Sequence, residues 1–223
     1  MPVHPPTPQA TRQELDAERP RRKGEITRER ILDAAEELFA ERGYGGTTLR
    51  DVASRVGIRN PSLYNHFESK DALYAAVLER GVGPVLRVLS EFVVRGDADS
   101  GVVATRIVDL LAQQPNLPRL VQHETLTGGE RLTPLLREWI VPVLTRGQEM
   151  ARASAADAWP AEEIPLLVLA MYHVVVGYFT MAPLYRDLGG EDLLSPDSLD
   201  RQKHFLTELV DRLFAARRQP DRP

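Results

Sequence analysis

Residues 27–73 read TRERILDAAEELFAERGYGGTTLRDVASRVGIRNPSLYNHFESKDAL, and the spacing of their apolar residues predicts three short helices and the start of a fourth. Ile31, Ala34, Ala35, Leu38 and Phe39 recur on one helical face, and the pattern stops at Arg42-Gly43, so a first helix is expected over about 27–42. Leu49, Val52, Ala53 and Val56 repeat the spacing for two turns only, with Thr48 placed to cap the free amides and Gly57 to end the helix. A helix of that length is not stable alone. Asn60 is placed to cap a third helix whose first position is Pro61, where a missing amide hydrogen costs nothing, and Leu63 and Phe67 give it a narrow buried edge. Ser62, Tyr64, Asn65 and His66 are left facing outward.

Two short helices joined by Val56-Gly57-Ile58-Arg59, the second carrying polar side chains, have the layout of a helix-turn-helix. A major groove about 12 Å wide admits one helix, and Asn, Ser and His can exchange hydrogen bonds with base edges there. Thr48, Arg59 and Lys70 fall at helix beginnings, where amides and cations hold phosphate. Amphipathic helices at these spacings also occur in any helical bundle, and His66 alone fits a packing role equally well.

The stretches ILDAAEELFAERGY (31–44), TTLRDVASRVGI (47–58) and LYNHFESKDAL (63–73) add a sharper signal. Through them, residues 25–85 resemble the DNA-binding domain of the TetR family of bacterial transcriptional regulators. The resemblance implies an all-α protein in which a three-helix helix-turn-helix domain precedes a helical ligand-binding and dimerisation domain. It implies a cytoplasmic homodimer that binds a palindromic operator in double-stranded DNA, usually as a repressor, and is released by a small molecule. By position it implies phosphate contacts from Thr48, Tyr64 and Lys70, and base or backbone contacts from Arg59, Asn60, Ser62, Asn65 and His66. Pro61 departs from the family, which more often has a small or charged residue there.

Composition sets bounds on the rest. The chain has 223 residues, 43% of them hydrophobic, enough for a proper core. It has no cysteine, which excludes disulfides and thiolate metal sites. Its five histidines are too scattered to argue a metal site, and no phosphate-binding glycine loop or nucleophile elbow is recognisable, so neither a catalytic site nor a cofactor is expected. The proline-rich opening MPVHPPTPQATRQELDAERP lacks an apolar export core and reads as part of a disordered arm, residues 1–24. The net charge of -4 weighs against a nucleic-acid partner until its distribution is considered. Between Arg42 and Lys70, five cations face two carboxylates, and Arg19, Arg21, Arg22 and Lys23 form a run that either follows the DNA backbone or is a solvated linker.

Ser69 is placed to cap a fourth helix with Asp71 in its first turn, and Gly81-Val82-Gly83-Pro84 predicts a break or kink in it. That kink is either the point where an effector changes the tilt of the DNA-reading head or a plain helix boundary. Residues 86–217 read as helical, over about 101–114, 117–126, 132–154 (bent at Pro142), 162–187 and 197–217, with a tail at 218–223. Loops are expected at 96–100, Gly128-Gly129, Trp159-Pro160 and Gly189-Gly190.

Ile164 to Tyr185 runs 22 residues without a charge, close to the length of a membrane span. Pro165, Pro183, His173, Tyr178 and Thr180 make it a poor insertion sequence, and a helix apolar on all sides is also one buried from two sides. The last helix offers a matching apolar stripe, and a dimer interface of Val168, Tyr172, Val175, Phe205, Leu209 and Leu213 is expected, with no membrane partner. In proteins of the resembled family these two helices pair with their symmetry mates as a four-helix bundle. Gln122, His123, Glu124, Trp139, Met150, Tyr172, His173 and Phe179 are candidate effector contacts by type and position, although each alone fits core packing or a satisfied polar pair.

Overall fold

The computed structural model describes residues 12–95, 100–134, 136–138, 141, 145, 160 and 162–215, and no strand occurs among them. Its helices are α1 (Arg12–Arg42), α2 (Leu49–Val56), α3 (Asn60–Tyr64), α4 (Lys70–Arg95), α5 (Ser100–Gln113), α6 (Leu117–Leu126), α7 (Ile164–Asp187) and α8 (Pro196–Ala215). Between α6 and α7, residues 132–134 and 136–138 are also helical. The expected loops at Gly128-Gly129 and Gly189-Gly190 are present. Pro142, Trp159 and residues 96–99 lie outside the described residues.

α1 starts well before Thr27, so part of the segment expected to be a disordered arm is helical. Gln13, Glu14, Leu15, Ala17 and Glu18 are good helix formers, and a helix already nucleated on the core extends through them at the cost of one ordered residue per added hydrogen bond. α2 has the expected ends. The Thr48 hydroxyl accepts from the Asp51 amide, the Asp51 carboxylate accepts from the Thr48 amide, and Gly57 closes the helix at φ 77°. The α3 cap is corrected by one residue: Arg59, in an extended conformation, is the N-cap, Asn60 is the first helical residue and Pro61 the second. Pro61 still loses nothing, because amides in the first turn have no partner within the helix.

The break expected at Gly81–Pro84 is absent, since α4 runs unbroken from Lys70 to Arg95 with Pro84 inside it. Burial on both sides holds it together. Leu73, Tyr74, Val77 and Leu78 pack into the N-terminal helices, and Leu86 continues the same core towards Ala104, Val108 and Leu111 of α5. Gly81 has a different role from the one its sequence context suggests: a Cβ there would lie 2.6 Å from Leu117 Cδ1, so its missing side chain admits α6. The domain boundary placed at residue 85 therefore falls within a helix that both halves share. α6 packs on α1 and α7, and α5 packs along α8, with Val175, Phe179 and Leu206 closing the far end of the core.

Arg80 fastens α4 to α1 through Glu36 (2.7 Å), Asp33 (2.7 Å) and Glu29 (3.3 Å). Thr47, fully buried, donates within the α1–α2 turn to the carbonyls of Leu38 and Gly43, each at 3.1 Å. The α3 turn has a single fully buried anchor of its own, Leu63. Replacing it by alanine should lower the unfolding free energy by about 3 kcal/mol, against about 1 kcal/mol for Gly57→Ala, which only strains a left-handed cap. Urea denaturation compares the two, and equal losses would show that Leu63 is not the anchor.

Candidate nucleic-acid interface

The α2–turn–α3 unit is built from the inside out. Val52, Ala53 and Val56 bury one face of α2, and Leu63 and Phe67 bury the edge of α3. Arg30 of α1 donates to the Val56 carbonyl at 2.9 Å, satisfying an acceptor at the α2 C-terminus that the helix itself leaves open. Past Gly57, the Ile58 amide returns to the Ala53 carbonyl at 2.9 Å, and the chain re-enters a helix at Arg59. This turn leaves Arg59, Asn60, Pro61, Tyr64 and Asn65 exposed, with Ser62 and His66 half-buried. Tyr64 and Asn65 face outward as the sequence predicts, whereas Ser62 and His66, also expected to face outward, are partly covered.

The expected phosphate contacts sit around that element in different states. Thr48 is exposed, but its hydroxyl is engaged: it donates to Asp51 at 2.6 Å while accepting from the Asp51 amide at 3.2 Å. Its hydrogen bonds, from side chain and backbone together, hold the Asp51 carboxyl below its ordinary range. Tyr64 is 53% exposed and free to reach outward. Lys70 is half-buried, its ammonium 4.0 Å from the centre of the Tyr44 ring. Partial burial lowers the Lys70 pKa, the nearby Arg131 charge adds to that, and Asp71 opposes both.

Sequence reasoning missed this last group. The Tyr44 hydroxyl donates to Asp71 at 2.7 Å, Arg131 Nε donates to the same oxygen at 3.2 Å, and the Arg131 guanidinium lies 3.5 Å from the Tyr44 ring centre. Both donors hold the Asp71 carboxyl below its usual range. Arg131 comes from the turn after α6, far along the chain, so no local pattern could have joined it to Tyr44 and Asp71. Arg55, counted among the cations of the head, is paired with Glu37 at 2.8 Å.

The described candidate effector residues do not converge. Gln122 and His173 are exposed, and the His173 ring bonds the Leu169 carbonyl at 2.8 Å. His123 lies against Gly43 of the head, 3.6 Å from where a Cβ would stand. Glu124 is buried and takes the Arg131 amide at 3.3 Å. Beside it, the buried Tyr74 hydroxyl closes no hydrogen bond, and burial followed by the Glu124 charge pushes its pKa up. Tyr172 meets Thr125 at 3.4 Å across the seam of α6 and α7, and Phe179 packs in the core edge-on to Tyr178. Trp139 and Met150 lie outside the described residues. Two open depressions of ≈ 640 and ≈ 350 Å³, beside Gly128–Glu138 and between α4 and α5, are lined by none of the six described candidates.

Of the expected interface residues, Phe205 is exposed, Tyr172 and Leu209 are partly covered, and Val175 is corrected: it is buried in the chain's own core. The Val168 and Leu213 side chains lie outside the described set.

The fold and the exposed α3 define a helix-turn-helix protein with a helical C-terminal domain. Residues 31–77 match the family of bacterial regulatory proteins of the TetR type, so this N-terminal segment is a domain of that type. The HTH-type transcriptional repressor KstR2 of Rhodococcus jostii is 32% identical over 132 residues, 54% of this chain and 64% of that protein. IcaR of Staphylococcus aureus, a negative transcriptional regulator of the biofilm operon icaADBC, is 51% identical over 47 residues, 21% of this chain and 25% of that one. The chain thus matches less than two thirds of the length of either relative. Among solved structures, a transcriptional regulator of the TerR/AcrR family from Aquifex aeolicus has the same fold, with a TM-score of 0.56 at 19% identity over 84% of this chain and 99% of that one.

The capping box gives a pH-dependent test. Asp51 is lower in the folded state than the unfolded value of about 3.9, so its contribution is complete above that value and is lost as pH falls through the folded one. Thr48→Ala should cost about 1 kcal/mol and move the Asp51 titration up towards its ordinary range, read by NMR. An unmoved midpoint would mean that the hydroxyl does not hold the carboxylate.

Proposed function

We propose that the protein is a sequence-specific DNA-binding transcriptional regulator that acts as a homodimer in the bacterial cytoplasm. In this reading it is a repressor, released from a palindromic operator by a small apolar or amphipathic effector. The observation that carries the reading is the exposure of Arg59, Asn60, Tyr64 and Asn65 on a helix whose opposite edge is buried, inside a domain of the TetR type. Ser62, His66, Thr48 and Lys70 complete the surface, with Thr48, Tyr64 and Lys70 towards phosphate. The repressor sense follows KstR2 and IcaR. The seam of α6 and α7, with Tyr172 at its edge and Phe179 deeper, is the proposed effector region, with Trp139 and Met150 as further contacts. Gln122, His123, Glu124 and His173 are the weaker members of that set, for the placements given above.

The homodimer reading rests on α7. Leu166, Leu169, Met181 and Leu184 lie on one face, continued by Leu188 at the C-cap, all at least half exposed, while Val175, Phe179 and Ala182 are buried on the opposite face. Phe205 of α8 adds to the uncovered surface, and a second copy related by a two-fold axis would cover both helices and place two heads on an inverted repeat.

Selection of duplexes from a random pool in rising salt should enrich one inverted repeat, and enrichment of nothing at any salt would overturn DNA binding. On the selected duplex, Lys70→Gln should weaken binding across all sequences and lower the salt slope by about one per head, whereas Asn65→Ala should relax the preference at a single position of each half-site. Leu169→Glu combined with Phe205→Glu should convert a dimer into a monomer by light scattering. A dimer that survives both changes would place its interface elsewhere.

A further inference from the structure

Lys70 and Asp71 are neighbours in sequence at the start of α4, a cation offered to phosphate beside a carboxylate able to neutralise it. In the structure each has another partner. The Asp71 carboxylate is taken by the Tyr44 hydroxyl at 2.7 Å and by Arg131 at 3.2 Å, while the Lys70 ammonium rests 4.0 Å from the centre of the Tyr44 ring. Arg131 belongs to the C-terminal half. Its amide is held by the buried Glu124 at 3.3 Å, and the Gly129 amide closes the same turn onto the Glu124 carbonyl at 2.7 Å. Its guanidinium nevertheless reaches back over Tyr44, 3.5 Å from the ring centre. The ring thus carries one cation from the head and one from the turn after α6, and only the second has the carboxylate.

We propose that Arg131 is a positioning residue for DNA binding: by occupying Asp71 it leaves the Lys70 ammonium available to a DNA phosphate. When the guanidinium withdraws, Asp71 turns to Lys70 and the phosphate contact is lost. Any shift of the turn after α6 that draws Arg131 back would therefore weaken the head without moving α3. The assignment rests on the DNA-binding reading above and adds to it the residue by which the second half of the chain acts on a phosphate contact.

The test uses the full-length protein and a short random-sequence duplex, so that only backbone contacts are read, with affinity measured over a range of salt. Arg131→Gln should weaken binding about fivefold for the two heads together, the scale of an exposed ion pair lost in each, and should flatten the salt slope by up to about 0.9 per head. Asp71→Asn alone should leave affinity at or above that of the unaltered protein, and adding it to Arg131→Gln should restore the loss. In a Lys70→Gln background, Arg131→Gln should have no further effect. A further loss of equal size in that background would show Arg131 acting through its own charge, and an Asp71→Asn variant as weak as Arg131→Gln would show a merely structural bridge; either result overturns the assignment. Matching thermal melts for the single variants confirm that each is folded. Absence of duplex binding by the unaltered protein would overturn the function itself, and this assignment with it.

Discussion

A helix as short as α3 cannot hold its shape by its own hydrogen bonds, because fixing the first turn costs more conformational entropy than the bonds return. What holds it is Leu63, fully buried among side chains of α1, α2 and α4, with Phe67, just beyond the helix, doing the same for the exit. The Leu63 carbonyl also accepts from the His66 and Phe67 amides, so the anchor fixes both the side chain and the path of the chain. Every outward group on the element, from Arg59 to His66, takes its position from that one buried edge. A reading surface needs such support, since groups that exchange hydrogen bonds with bases lose affinity if they must first be ordered.

The same economy explains how an acidic chain can carry the proposed nucleic-acid-binding head. Its acidic groups are not spread evenly. On α1, Glu29, Asp33 and Glu36 are drawn onto Arg80, whose pKa is raised because burial, which alone would lower it, is outweighed by the Glu36 and Asp33 carboxylates. Asp51 is folded back on Thr48, and Asp71 is held by Tyr44 and Arg131. Each of these carboxylates has a partner within the protein, so none is left to repel phosphate at full strength. Net charge describes solubility and long-range steering, whereas the contact surface depends on where the paired and unpaired groups lie.

Much of the N-terminal half is legible in the sequence because its signals are local. Thr48, Asp51 and Gly57 specify the ends of α2 through contacts no more than a few residues apart, and the apolar spacing of α1 is long enough to be unambiguous. The Asn60 cap is displaced by one residue because both Arg59 and Asn60 can adopt the extended conformation before a proline-containing first turn. The unbroken course of α4 through Pro84 is not local: burial of Leu78, Val82 and Leu86 compensates for the hydrogen bond that proline removes. Gly81 looked like part of a breaker and is a packing glycine, which only Leu117 of α6 reveals. The Tyr44–Asp71–Arg131 group is illegible for the same reason, as is the placement of His123 against the head and of Val175 in the core.

α7 shows how a composition that fits two environments is resolved by its faces. Pro165–Asp187 is long and apolar enough to cross a membrane, and only 18% of its most apolar stretch is buried within the single chain. α7 has a covered face, carrying Val175, Phe179 and Ala182, and an opposite uncovered one. At 100° per residue, Leu166, Leu169, His173, Gly177, Met181, Leu184 and Leu188 fall along that uncovered stripe. An imidazole and a glycine at its centre are poor lipid contacts, whereas a small residue between large ones is what allows two helices to approach closely. The phenolic oxygen of Tyr178 points away from the stripe and donates to the Leu193 carbonyl at 2.6 Å, tying α7 to the loop before α8. α7 is thus fixed on one side by its own fold and left largely apolar on the other, the face on which the proposed homodimer rests.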